Sequence, residues 1–231
     1  MVDIVQSWQQ LTGEVTQCTR CPRLVSWRDE VAQTRRRAYR DWQYWGRPVP
    51  GFGDSEAEVL VVGLAPGAHG ANRTGRMFTG DGSGEFLYSA LHTFGFASQT
   101  TSSHRGDGLT LQNLFISAVC RCAPPQNKPT ITEITNCLPY LEREMALLSR
   151  VRVIVALGRI AFDNTLRIYR QNNIPIPSIK FTHATAHALG EDLPWLVASY
   201  HPSRQNTQTG RLTVDMFDQV WMLVRTLLEP K

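Results

Sequence analysis

Four short, largely apolar runs punctuate the chain: Glu58–Gly63, Leu114–Val119, Val151–Leu157 and Trp195–Ser199. They are rich in β-branched residues and lack apolar/polar alternation, the pattern of strands buried on both faces of a parallel sheet. Between and after them, apolar positions recur at helical spacing over Gly84–Phe94, Thr132–Leu148, Arg159–Tyr169 and Val214–Leu228. The order β-α-β-α-β-α-β-α predicts an α/β fold, a mostly parallel sheet between two helix layers joined by right-handed crossovers. Ligands of such sheets bind beyond the carboxyl ends of the strands. Residues 1–53 form an N-terminal segment richer in Arg and Trp. The turn-rich stretch Val49-Pro50-Gly51-Phe52-Gly53-Asp54 connects it to the core, residues 54–231, and the whole is expected to form one domain. Gln171–Leu193, with Ile174-Pro175-Ile176-Pro177 and His183 and His187, reads as an irregular insertion or hairpin. No internal repeat or low-complexity tract is present.

Composition narrows the class. The chain has 231 residues, 42% hydrophobic and 19% charged, enough for a sizeable core and too apolar for intrinsic disorder. No run approaches the length of a membrane helix. Met1–Thr16 has neither the basic start nor the apolar stretch of a secretory signal, so the expected location is the cytoplasm, with a monomer as the default state. A net charge of +4 is compatible with a polyanionic partner without pointing to one.

Three stretches carry candidate chemistry. Cys18-Thr19-Arg20-Cys21 places two thiols on one tight turn. Cys122 and Cys137 are separated by the turn-rich Ala123–Pro129 and the start of a helix, which can fold them together. Four thiolates suit zinc or an iron–sulfur cluster, and the spacing does not choose between them or exclude four unrelated buried cysteines. Cys120 reads as a core thiol. The second stretch, Gly63–Arg76, follows the first strand and is rich in glycine, which lets backbone amides approach an anion. Its spacing fits neither the dinucleotide fingerprint nor the Walker phosphate loop. Met77-Phe78-Thr79-Gly80-Asp81 then leads into a helix, where Asp81 reads most simply as an N-cap and Phe78 as core. The third stretch, Tyr200–Arg211, puts His201 at the end of the last strand, followed by Ser203, Arg204, Asn206 and Arg211. A separate basic stretch, Arg35-Arg36-Arg37-Ala38-Tyr39-Arg40, reads equally as a solvated face or as phosphate contacts.

Taken in order, Gly63-Leu64-Ala65-Pro66-Gly67-Ala68-His69-Gly70, Phe78-Thr79-Gly80-Asp81, His201-Pro202-Ser203-Arg204-Gln205-Asn206 and the four cysteines resemble the family 5 (type B) uracil-DNA glycosylases, iron–sulfur enzymes of base excision repair. The resemblance runs from Cys18 almost to the end. It implies a three-layer α/β/α fold around a four-stranded parallel sheet, DNA as partner, and a structural [4Fe-4S] cluster on Cys18, Cys21, Cys122 and Cys137. It further implies that Asp81 positions the attacking water or stabilises the sugar cation, and that His201 hydrogen-bonds the uracil carbonyl as it becomes anionic. Phe78 would stack on the extruded base, with Gly67, Ala68 and His69 as the backbone wall behind it. Arg73, Arg76, Ser203, Arg204 and Arg211 would contact DNA.

The sequence departs from related families at two points. Leu64-Ala65 stands where other uracil-DNA glycosylases carry an acid, which moves that role to Asp81. Ser117-Ala118-Val119 stands where many relatives have a strand-end asparagine that reads the uracil edge, leaving Asn127 or Asn206 as substitutes. Losing a buried amide reader predicts weaker discrimination and a broader substrate range, and the resemblance implies hypoxanthine, xanthine or ethenocytosine, unranked, as the further bases. Two alternatives stay open: a non-catalytic nucleic-acid-binding module of the same fold, and a zinc-stabilised α/β nucleotide-binding protein.

Overall fold

A computed structural model describes residues 4–229, so the outermost residues of the N-terminal segment and of the core lie outside the described residues. Helices α1 (Ile4–Thr16) and α2 (Pro22–Thr34) come first, then β1 (Phe52–Gly53) and β2 (Val59–Gly63). They are followed by α3 (Ala71–Thr74), α4 (Gly82–Thr93), β3 (Leu114–Ala118), α5 (Ile131–Leu147), β4 (Val153–Leu157) and α6 (Arg159–Gln171). The chain continues with β5 (Thr185–Ala188), β6 (Trp195–Ser199), α7 (Arg204–Gln208) and α8 (Val214–Leu228). The sheet order is β1-β3-β2-β4-β6-β5.

The four apolar runs form the parallel centre, β3-β2-β4-β6. Alternate residues face opposite layers: Val59 and Val61 join the core under α4 and α8, whereas Leu60 and Val62 join the core under α5 and α6. The four-stranded expectation is corrected to six, because β1 and β5 add antiparallel edges to β3 and β6. Neither announces itself in the pattern. β1 has two residues, and Thr185-Ala186-His187-Ala188 is half-exposed, as an edge paired on one side permits. The predicted insertion therefore holds a strand.

The N-terminal helices are fastened to the core through α5. Thr130 and Glu133 form a reciprocal capping box at its start, and Glu133 also receives Arg23 of α2 at 2.6 and 2.7 Å. No helix among the described residues is long and apolar enough to cross a membrane.

Candidate active site and cysteine cavity

The carboxyl ends of β2, β3 and β6 open onto a cleft of about 670 Å³, within the range of small-molecule sites. One wall is the loop after β2, from Leu64 to Gly70, and another is Met77–Ser83 leading into α4. A third is His201-to-Gln205 after β6, and a fourth is the turn Gln126-Asn127-Lys128 before α5. The two glycine-rich and polar stretches, more than a hundred residues apart in sequence, thus meet across the sheet.

Asp81 is indeed the N-cap of α4, its Oδ1 accepting from the amides of Ser83 at 3.1 Å and Gly84 at 3.0 Å. It also faces the cleft, and its Oδ2 lies so close to the loop that a Cβ on Gly70 would sit 1.9 Å from it. Gly70 is therefore a residue that leaves room for a carboxylate. Burial raises the Asp81 pKa above the ordinary carboxylate value, opposed by those two amides and by the charge of Arg204.

His201 stacks against Phe78, with ring centroids 5.8 Å apart and an interplanar angle of 30°. Phe78 is held over the end of β2 in a left-handed conformation, φ 50°, with its ring where a Cβ on Gly63 would fall at 2.9 Å. Burial pushes the His201 pKa down to about 4, so the imidazole is neutral at physiological pH. His69 lines the same cleft, with Nδ1 3.1 Å from the Tyr44 hydroxyl. Burial, then Arg36 and Arg73, lower its pKa.

Gly67, Ala68, Asn127, Ser203 and Arg204 also line the cleft. Ser203 caps α7 by accepting from the amide of Asn206. Three expectations need correction and a fourth residue changes place. Arg76 is not free for phosphate: it is buried, bidentate to Asp107 at 2.7 and 2.8 Å, and bonded to Thr79 and Ser102. Arg73 is equally buried, donating to the carbonyls of His69 and Gly80. Arg73 satisfies two carbonyls of the β2–α4 connection, whereas Arg76 ties that connection to the 102–107 loop through Ser102 and Asp107. Asn206 lies outside the cleft wall and donates its amide to the His201 carbonyl at 2.8 Å. Arg211, also outside the cleft, stacks over Tyr200. At the end of β3, Ala118 presents only a methyl to the cleft, and the Ser117 hydroxyl is bonded to Glu144 at 2.5 Å. The sequence reading missed Arg36, Tyr39, Gln126 and Lys128 as cleft residues. Arg36 and Tyr39 belong to the basic stretch 35–40, which the sequence offered as a solvated face or as phosphate contacts but did not place at the cleft, and Gln126 and Lys128 lie in a turn read only as a connection.

Cys18, Cys21, Cys122 and Cys137 line a second, smaller cavity, where the turn between α1 and α2 meets the loop after β3 and the second turn of α5. None of the four is in a disulfide. Their sulfurs receive N–H donors: Arg28 Nη1 to Cys122 at 3.1 Å, the Arg121 amide to Cys137 at 3.2 Å, and Asn136 Nδ2 to Cys21 at 3.6 Å. Arg121 is buried against this cavity with Nε and Nη1 unpartnered. Among the described residues, no group of three or more His, Cys, Asp or Glu is drawn together as a single ion requires. Cys120 is buried in the core beneath the sheet, as its position in the run implied.

Residues 50–225 match the profile described as the Uracil DNA glycosylase superfamily. This chain belongs to that family. It is 52% identical over 216 residues to a type-5 uracil-DNA glycosylase of Thermus thermophilus, covering 92% of this chain and 94% of the relative. Identity to the type-5 enzyme of Mycobacterium bovis is 48% over 219 residues, 94% of this chain and 81% of the relative. Against a type-4 uracil-DNA glycosylase of Pyrobaculum aerophilum it is 32% over 162 residues, 70% of this chain and 74% of the relative.

Proposed function

We propose that this uracil-DNA glycosylase extrudes uracil from DNA into the cleft and hydrolyses its N-glycosidic bond as a monofunctional enzyme, leaving an abasic site. The observation that carries the reading is the pairing of Asp81 and His201 across one cleft. Breaking the bond leaves positive charge on the sugar and sends the bonding pair to the departing uracil, so stabilisation is needed at both ends. Asp81 is the only carboxylate among the described residues lining the cleft, and it holds the attacking water or faces the sugar cation. His201, neutral by burial, donates a hydrogen bond to the uracil carbonyl as negative charge develops there. A positioned donor of this kind is worth about 10²–10³ in rate. Phe78 supplies a ring against which the flipped base stacks, and extrusion costs about a few kcal/mol, least at a U·G mismatch.

The pocket favours a broad substrate range. With Ala118 and an occupied Ser117 at the end of β3, the strand offers no amide to the base edge. Gln126 and Asn127, in a left-handed turn at φ 54° and 57°, remain as the amides lining the cleft on that side. A uracil analogue then leaves no strand-end donor unpaired. The test is a labelled strand with one deoxyuridine opposite guanine, incubated with protein, treated with alkali and run on a gel beside a hypoxanthine strand. Alkali-dependent cleavage of both is expected. Cleavage of neither refutes the reaction, and cleavage of uracil alone, with every deaminated purine untouched, refutes the broad range.

The four cysteines fit a [4Fe-4S] cluster in a structural role. The donors on three sulfurs, with buried Arg28 and Arg121 alongside, suit a set of thiolates carrying net negative charge. When bound, the cluster ties the start of α2 to α5 and to the loop that frames the cleft.

A further inference from the structure

We infer that the basic segment 35–40 is a docking ledge for the DNA backbone beside the extruded nucleotide, riveted to the catalytic loop by Arg73. The inference rests on the reading of this cleft as a DNA glycosylase site. Arg36 and Tyr39 line the cleft that holds Asp81 and His201, although they come from the N-terminal segment, in the basic stretch whose role the sequence left open. Arg35, Arg36, Arg37 and Arg40 are exposed. Among the described residues, Arg40 approaches only the solvated Asp41, and neither Arg36 nor Arg37 offers its guanidinium to a carboxylate. Four guanidinium groups in six residues repel one another, and a simple solvated face would be expected to interleave acids with them.

The segment is held in place. The buried Arg73 guanidinium lies 3.9 Å from the Tyr39 ring centroid and 4.1 Å from that of Trp42, a double cation–π contact. The same side chain holds the His69 and Gly80 carbonyls of the catalytic loop. Tyr44 adds a second tie, its hydroxyl joining His69 Nδ1 and the Arg36 amide. The backbones join as well, where the amides of Trp45 and Gly46 donate to the carbonyls of Arg73 and Asn72. A charge-rich segment fixed against the loop that faces the reacting nucleotide presents its cations at a set distance from the cleft. Lys128 and Arg204 stand on other walls, so the mouth is ringed by positive charge, the arrangement a phosphodiester backbone requires around a flipped base.

The test is fluorescence anisotropy on a labelled duplex carrying a 2′-fluorinated deoxyuridine opposite guanine, which binds without being cleaved, at salt concentrations from 50 to 200 mM. Each cation removed from a phosphate lowers the slope of log affinity against log salt by about 0.9, or about 3.5-fold in affinity across that range. The variant Arg36→Gln/Arg37→Gln/Arg40→Gln is expected to lose up to about 2.7 units of slope, about 0.9 for each of the three that meets a phosphate, while melting as the wild type does. Arg150→Gln, an exposed charge before β4 at the opposite end of the strands, is the charge control and should keep the wild-type slope. A triple variant with an unchanged slope overturns the ledge, and so does an equal loss in Arg150→Gln. Uracil release by the wild type, scored separately, keeps the two readings apart. Release with an unmoved slope sinks the ledge alone, and a lowered slope without release sinks the glycosylase reading and leaves a DNA-binding ledge.

Discussion

Gly70→Ala places a methyl where Asp81 needs space. The new Cβ falls 1.9 Å from Asp81 Oδ2 and 2.7 Å from its Cγ, far inside van der Waals contact. The carboxylate is short and cannot simply swing aside, because Oδ1 is pinned by the amides of Ser83 and Gly84. Rotating it out abandons the cap of α4, at about 0.5–2 kcal/mol. Lifting the loop instead breaks the bonds from the Arg73 and Thr74 amides to the Gly70 carbonyl, at 2.9 and 3.0 Å, which start α3. Turning the carboxylate out displaces the reacting group itself, and a misplacement of about an ångström costs about 10²-fold in rate, whereas lifting the loop leaves Asp81 in place and displaces the wall opposite it. Gly67→Ala meets Oδ2 at 2.8 Å and should lose less. Asp81→Asn keeps an oxygen to cap the helix and loses the charge, so it should melt near the wild type while slowing about 10²–10³-fold. The assay is single-turnover uracil release from a U·G duplex at saturating protein, with thermal melting by circular dichroism. If Asp81→Asn releases uracil at the wild-type rate, Asp81 does not act as argued; a wild-type rate in Gly70→Ala alone would show that the loop, not the carboxylate, gives way.

Asp107→Asn leaves the buried Arg76 charge without its partner and should cost about 3–5 kcal/mol in urea unfolding, since the pair is almost wholly enclosed; a loss below about 1 kcal/mol would show the pair to be dispensable. His201 titrates near 6.5 when unfolded and near 4 when folded. The unfolded chain thus binds the extra proton between those values, and stability should fall as pH drops from 6.5 to 4 by up to about 3 kcal/mol. His201→Asn should remove that part of the slope, and an unchanged pH profile would place the imidazole in water. For the cysteine cavity, protein purified without oxygen should contain iron and sulfide and absorb visible light, and Cys137→Ser should lose both and melt lower; stoichiometric zinc in a colourless protein would exclude the cluster.

The parts of the fold legible in the sequence are those where local pattern and tertiary position agree. Trp195–Ser199 and Val214–Leu228 begin and end where the pattern puts them, and the other central strands shift by one or two residues. Buried parallel strands require continuous apolar runs, and amphipathic helices require their spacing. β1 and β5 escaped because an edge strand satisfies its backbone on one side with few apolar residues. The motif loops around Asp81 and His201 were legible because a close-packed glycine loop and a polar strand end are unusual locally.

What the sequence could not assign was the use of each cation and amide. Arg73, Arg76 and Arg204 look alike along the chain, and only the packed fold buries the first two among carbonyls, a carboxylate and aromatic rings while leaving the third at the mouth of the cleft. Asn127 and Asn206 were equivalent candidates until one was found facing the cleft and the other bonded to the His201 backbone. The chain by itself determined its alternating elements, its family and the residue types available for chemistry, because these follow from composition and order. The tertiary structure decided which donors are free, because that depends on which carbonyls and charges distant segments bring within about 3 Å.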